Sequence, residues 1–238
     1  MTLTLDDLNR MTDAAFGAAI GETFEHAPWV AEVAATKRPF TTVTALHEAM
    51  MGAVRAASRA QQLAFLNGHP DLAGKAARAG TITDDSRSEQ ASIGLDSLSD
   101  EAFERFHRLN DAYKAKFGFP FMICVRRHTR DSILARFERR LANDAVSEFA
   151  AALQEVFFIT RLRIAAKVAG EGMPQVNGRL STHVLDTHAG RPAVGVAVEL
   201  CEFADDRAHR IAAAVTNADG RTDSPLIGGR PLPIGRYE

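Results

Sequence analysis

AGEGMPQVNGR, residues 169–179, separates two parts of this chain that differ in periodicity. Before it, Asp144 to Val168 carries Val146, Phe149, Leu153, Val156, Thr160 and Ile164 at helical spacing. That spacing predicts one long helix with those side chains inward. After it, Val194, Val196, Val198 and Leu200 alternate with Gly195, Ala197, Glu199 and Cys201, the mark of a half-buried strand. The stretch itself is rich in Gly, Pro and Asn, as linkers are. The expectation is an all-α multi-helix domain over residues 1–168, a linker over 169–178 and a partial β-sandwich segment over 179–238. In that segment Arg210 to Val215 is expected to complete a hairpin, and Asn217 to Gly220 to form a turn.

Upstream, the punctuation predicts further helices. Thr12 can cap one with Phe16, Ile20 and Phe24 on its apolar side, and Pro28 suits a first helical turn before Trp29. Leu46, Met50, Val54 and Ala57 recur at helical spacing between Thr44 and Leu66. Asn67-Gly68 is a stop signal, and Pro70 forbids simple continuation and biases His69 to extended backbone. Asp71 to Gly80 is short and Ala-rich, and Thr81 to Asp85 is a polar loop. A helix is expected from Ser86, and another, capped by Ser99, carries Phe103, Phe106, Leu109, Tyr113 and Phe117 along one face and ends at Gly118. Phe119 to Val125 is an apolar run containing Pro120, expected to be extended and to line the interior. Ser132 to Ala142 is expected to be helical, with a break at Asn143.

Composition removes several classes of function. A hydrophobic share of 46% and a charged share of 24% are those of an ordinary globular chain. The formal charge of −2 offers nothing to a polyanion, so no nucleic acid partner is expected. No run of eighteen apolar residues suggests a membrane span, and the acidic N-terminus lacks the pattern of a signal peptide. Cys124 and Cys201 are too few for a disulfide framework, which points to the reducing cytoplasm. No HExxH, clustered His/Cys spacing, GxGxxG or P-loop occurs, so neither a metal nor another cofactor is expected.

The chemistry concentrates between Asn67 and Glu89, where a pinned His, a hydroxyl and a carboxylate share one segment. Each has a plainer reading. Ser86-x-x-Glu89 is a capping-box pattern, although a helix N-terminus also attracts anionic ligands. A His before Pro is most often a surface corner residue. Arg163 leans toward the buried stripe of its helix, but a long Arg can also snorkel away from an apolar face.

Five motifs occur in order: Ala27-Pro-Trp-Val-Ala, Gly68-His-Pro-Asp-Leu, Ser86-x-x-Glu-Gln90-Ala, Lys116-Phe-Gly-Phe-Pro-Phe-x-Ile-Cys124 and Arg161-Leu-Arg163. Over roughly residues 5–168 they resemble 2-oxo-4-hydroxy-4-carboxy-5-ureidoimidazoline (OHCU) decarboxylase, of the ureide branch of urate breakdown. Leu180-Ser-Thr-His183-Val-Leu-Asp-Thr187, Gly190-Arg-Pro192 and Thr216-Asn-x-Asp-Gly-Arg221 resemble 5-hydroxyisourate hydrolase, of the transthyretin-like proteins.

The first resemblance implies a small-molecule substrate and a cofactor-free decarboxylation giving (S)-allantoin. It implies His69 as principal acid/base with Glu89 beside it as a catalytic group. Pro70, Ser86, Gln90, Phe121, Ile123, Val125 and Arg163 are the implied substrate-binding positions, with Arg161 and Arg126 as alternatives to Arg163. The second resemblance implies His183 and Arg221 as hydrolase residues. The later His and the C-terminal Tyr-Arg-Gly-Ser of that family do not occur before Glu238, so this segment is expected to be incompetent in hydrolysis and poorly packed or completed by another chain. A homo-oligomer is implied, a dimer through the helical domain and a tetramer where the β domain is complete. The pairing has chemical sense, because the hydrolase's product is the decarboxylase's labile substrate. The alternatives are hydroxyisourate hydrolysis as the main activity, and a transthyretin-like module that binds a small ligand.

Overall fold

The structure is a computed structural model that describes residues 3–74, 82–204 and 206–238. The expected short segment from Asp71 to Gly80 and the loop from Thr81 fall partly on residues 75–81, outside the described residues. The chain divides into two compact units, Met1–Cys124 with Arg136–Gln175, and Val125–Ala135 with Val176–Glu238.

The first unit is helical. Its elements are α1 (Leu5–Arg10), α2 (Asp13–Ile20), α3 (Pro28–Ala35), α4 (Val43–Ala56), α5 (Arg59–Asn67), α6 (Asp84–Ala91), α7 (Asp100–Phe117) and α9 (Ala145–Lys167), with the C-terminal part of α8 (Arg130–Arg140). Thr12, Ser99 and Asp144 cap their helices through side-chain oxygens, satisfying N–H groups that have no partner within the helix. Gly118 ends α7 at φ 79°, a left-handed position that favours glycine.

Four expectations change. The stretch from Thr44 to Leu66 is two helices, because Ser58 and Gln61 form a capping box that starts α5 afresh. The helix expected over Ser132 to Ala142 starts earlier and spans Arg130–Arg140. Val146 is 80% exposed, since it stands in the first turn of α9, ahead of the buried stripe of Phe149, Val156, Thr160 and Ile164. The start of the expected linker is anchored. Val168–Ala169 (β2) pairs in parallel with Leu3–Thr4 (β1). The carbonyls of Glu171 and Gly172 accept from the Val43 and Thr44 N–H groups at 2.9 and 3.1 Å, which satisfies the first turn of α4.

Phe119 to Cys124 runs extended and buried, as expected; Val125 instead opens a 3₁₀ turn, Val125–Arg127. Two things hold the extended run. The Phe121 ring stacks on Phe137 at 3.9 Å between centroids, with Tyr113 edge-on to both; such pairs contribute about 0.5–1.5 kcal/mol each beyond their area. Buried charge fixes the backbone as well. Arg140 Nη1 donates to Met122 O at 2.7 Å, and the Cys124 N–H donates to Glu155 Oε2 at 2.9 Å. Arg140 is in turn held by Glu148, which also takes hydrogen bonds from Tyr113 and Asn143.

His47 of α4 is wholly buried against α9, its Nε2 2.9 Å from Thr160 Oγ1. Burial first, then Arg161 and Arg55, pushes its pKa down to about 4. A folded pKa below the unfolded one stabilises the protein above the unfolded value, and that contribution is lost as pH falls toward the folded pKa. Between about pH 6.5 and 4 His47 should therefore cost the fold about 3 kcal/mol. Urea unfolding at pH 7.5 and 4.5 should show His47→Gln losing about 2–3 kcal/mol less than wild type on acidification. Equal losses would remove His47 from the acid response.

In the second unit each sheet has two strands. Gly178–Leu180 (β3) pairs with Ile227–Arg230 (β8), Leu185–Asp186 (β4) with Arg191–Pro192 (β5), and Ala197–Ala204 (β6) with Arg207–Val215 (β7). The hairpin and the Asn217–Gly220 turn form where expected. The strand begins at Ala197 rather than Val194, which is 65% exposed because it precedes the ladder. Val215 is 59% and Ile211 41% exposed, so part of the apolar surface of this hairpin is uncovered within the unit.

Candidate active site

The site is built where the end of α5, the start of α6 and the C-terminal half of α9 converge on the turn before α3. After Asn67 the Gly68 and His69 N–H groups still bond back to Ala64 and Leu66 at 3.1 Å, so the corner is tight. A Cβ on Gly68 would lie 3.2 Å from Phe65 O, a tight contact, and 3.7 Å from Glu25 O.

His69 is not the surface residue that its place before Pro70 suggests on its own. It is 8% exposed, with its ring edge-on to Phe65 at 4.9 Å. Its Nδ1 lies 3.1 Å from Phe65 O. A carbonyl oxygen only accepts, so Nδ1 carries the hydrogen and Nε2 keeps the lone pair. Burial pushes its pKa down to about 4, against the pull of Glu25 and of the Phe65 carbonyl. At neutral pH the ring is therefore neutral, with one defined basic nitrogen.

Arg163 projects from α9 into a shell of acceptors. Nε and Nη2 make a two-pronged pair with Glu89 Oε1 and Oε2, both at 2.8 Å. Nη1 meets Glu25 Oε2 at 2.9 Å, and Nη2 lies 3.2 Å from Ser86 Oγ. The fork suits carboxylates on two sides, which a lysine cannot match. Of the two carboxylate side chains, Glu25 is 1% exposed and Glu89 15%, so Glu89 is the one open to a ligand.

Ser86 does not start its helix. Thr83 is the N-cap, accepting from the Ser86 N–H, and α6 begins at Asp84. Thr83 wins because Asp84 and Asp85 then fall in the first turn, where the helix dipole favours negative charge. Ser86 is left buried one turn in, donating to Glu25 Oε2 at 2.9 Å. The Ser86-x-x-Glu89 pattern is accordingly not a capping box, and Glu89 pairs with Arg163 rather than with the cap backbone.

Glu25 is the member that the sequence reading missed. It lies 138 residues from Arg163 and in none of the quoted motifs. Its one local signal is a charge directly after Phe24 in a segment with the buried Ala27 and Val30. Burial raises its pKa, but the Thr83 hydroxyl, donating at 2.6 Å, and Arg163 outweigh this and hold it below the usual carboxylate range.

Not every expected residue points at a ligand. Gln90 is occupied: its Oε1 accepts from the Ala73 N–H at 2.8 Å, and its Nε2 donates to Asp71 O at 3.5 Å. It therefore ties down the turn after the half-buried Pro70. Phe121 and Ile123 lie in the buried extended run of the same unit. Val125 and Arg126 are grouped with the second unit. Arg161 lies over the Phe157 ring at 5.8 Å. In the second unit His183 and Arg221 form a β-bridge, with Arg221 Nη2 3.4 Å from His183 Nδ1. Among the described residues, no group of three or more His, Cys, Asp or Glu is arranged to hold a metal ion. No helix among them is long and apolar enough to cross a membrane.

The family model described as OHCU decarboxylase matches residues 9–165. This chain belongs to the OHCU decarboxylase family. Residues 180–238 match the model of the HIUase/Transthyretin family. A 2-oxo-4-hydroxy-4-carboxy-5-ureidoimidazoline decarboxylase of Haloferax volcanii is 46% identical over 169 residues, 71% of this chain and 98% of that protein. The uric acid degradation bifunctional protein PucL of Bacillus subtilis is 38% identical over 178 residues, 75% of this chain but 35% of the relative. A crystal structure of (S)-allantoin synthase aligns at TM-score 0.57 and 30% identity, covering 99% of this chain and 80% of that one. The helical unit of this OHCU decarboxylase thus carries the cluster of His69, Ser86, Glu89 and Arg163 around Glu25.

Proposed function

We propose that this chain decarboxylates 2-oxo-4-hydroxy-4-carboxy-5-ureidoimidazoline to (S)-allantoin in urate breakdown, with His69 as the acid–base group. The observation that carries the reading is the neutral His69 ring, with Nδ1 committed to Phe65 O and Nε2 left for a ligand. The carbon losing CO2 bears a hydroxyl beside a C=N bond. Breaking the C–carboxylate bond sends the electron pair into that C=N system, and a proton that Nε2 has taken up can then close the new C–H bond at the former C=N carbon from one face. Glu89, anchored by Arg163 and partly open, is suited to accept from the substrate hydroxyl or ureido N–H groups. Arg163 fixes Glu89 in place through its two-pronged pair. Freshly generated substrate should decay in an enzyme-dependent phase with one CO2 released per molecule. Decay at the spontaneous rate would refute the reading.

A second reading attaches to the other unit, favoured by the His183–Arg221 juxtaposition. Those residues fit a ring-opening hydrolysis of 5-hydroxyisourate, whose product feeds the first reaction and would be consumed sooner at high local enzyme concentration. Accelerated hydroxyisourate loss that vanishes in Arg221→Ala while decarboxylation persists would assign hydrolysis to this unit. We further infer a homo-oligomer, supported by the uncovered apolar residues Val194 and Val215, which sedimentation velocity would test. Neither Cys124 nor Cys201 is in a disulfide, as suits work in the cytoplasm.

A further inference from the structure

Granting the decarboxylase reading, the charges around Arg163 carry one step more. Glu25 and Glu89 set two carboxylates against one guanidinium. The nearby Asp85 has its own cation, Lys167, at 2.7 Å. With His69 neutral, the described residues of the cluster hold one net negative charge before a ligand arrives, and its central side chains are almost closed to water. The substrate is itself a carboxylate. A second uncompensated negative charge in such surroundings is costly, and the ready relief is a proton on a basic group already beside a carboxylate. His69 is that group. The backbone of Glu25 lies against its corner, and the Glu25 charge favours the imidazolium.

We propose that Glu25 is a positioning residue that makes substrate binding proton-linked: the anionic substrate enters together with one proton, which lodges on His69 Nε2 with Glu25 as its counter-charge. The balance closes. The C–carboxylate bond breaks, CO2 leaves, and the electron pair stays with the carbon and its C=N neighbour. The hydroxyl proton passes to the substrate's ring nitrogen as its C–O bond becomes C=O, the Nε2–H bond breaks to form the new C–H bond at the former C=N carbon, and His69 returns to neutral. One carboxylate and one proton become CO2 and neutral allantoin, so binding collects in advance the proton that the reaction consumes. Glu25 touches no reacting atom and acts through His69 and Arg163. Among the described residues, the charged groups around His69 are Glu25 from the turn before α3 and Arg163 from α9, with Glu89 and Asp85 of α6 and Lys167 of α9 beyond them. Of these side-chain types only imidazole has an ordinary pKa near neutrality.

The test is the pH dependence of kcat/KM and kcat between pH 6 and 8, in wild type, Glu25→Gln and Glu25→Asp. Wild type should lose about tenfold in kcat/KM per pH unit while kcat stays nearly level. Glu25→Gln removes the excess charge, so its kcat/KM should flatten with pH, while kcat falls by about tenfold or more for want of a counter-charge. Glu25→Asp should bring back the slope. A merely structural Glu25 would lower Tm and leave the slope at its wild-type value, which would overturn the proposal. So would a level wild-type kcat/KM with decarboxylation proceeding. Absence of any enzyme-dependent decarboxylation would instead remove the reading on which the proposal rests.

Discussion

His69→Asn should lower turnover by about 10²–10⁴-fold, the range a positioned acid–base group supplies, with the fold intact. The choice of asparagine follows from the geometry. His69 is buried against Phe65, so alanine would leave a cavity as well as remove the chemistry, and the two effects would mix. The asparagine amide NH2 can take the place of Nδ1 and donate to Phe65 O, keeping the bond that closes the corner. Only Nε2 has no counterpart. Turnover measured beside the urea midpoint separates the outcomes. A large loss of kcat with a small shift in midpoint is expected, and near-wild-type turnover would withdraw the role from His69.

Arg163→Met should cost both activity and about 3–5 kcal/mol of stability at neutral pH, because it strands the buried Glu25 carboxylate and leaves Glu89 without its partner. Glu25 and Glu89 are both bonded to this guanidinium, and Glu25 has almost no access to water. The loss should depend on pH in a defined direction. In wild type, the Glu25 carboxyl is held below its ordinary value, so its contribution is present above about pH 4.5 and fades as pH falls through the folded pKa. In the variant the guanidinium no longer holds that carboxyl down, only the Thr83 and Ser86 hydroxyls remain on it, and protonation relieves the strain. The gap between wild type and variant should therefore be widest near pH 7 and narrow toward pH 4. Arg163→Lys keeps the charge without the fork and should show a smaller loss of stability with weakened substrate binding. A gap that is level with pH would mean that the carboxylates are paired elsewhere.

These contacts show what a single chain of letters makes legible. Local rules suffice for the caps at Thr12 and Ser99, the glycine stop at Gly118 and the change of period near residue 169. They do not bring His69, Ser86, Glu89 and Arg163 to one place; that expectation rests on the family resemblance of the motifs they occupy. They fail where two local patterns compete. At α6 both Thr83 and Ser86 carry a capping hydroxyl, and the acidic pair between them settles the choice for Thr83. At Ser58 a capping box with Gln61 outweighs the apolar periodicity running through it. Glu25 is of another kind. Its partners Thr83, Ser86 and Arg163 stand 58, 61 and 138 residues away, and no spacing rule reaches across such distances. Gln90 lies in a motif that implies substrate contact, yet its amide is spent on the backbone at Asp71 and Ala73.

The most direct measurement of the central claim is the circular dichroism of the allantoin formed from freshly generated substrate, followed with wild-type protein and with His69→Asn. A proton delivered from one fixed nitrogen gives one enantiomer, so wild type should produce (S)-allantoin at an enzyme-dependent rate, and the variant racemic product at the spontaneous rate. Racemic allantoin from wild type, or (S)-allantoin formed at the wild-type rate by the variant, would contradict it.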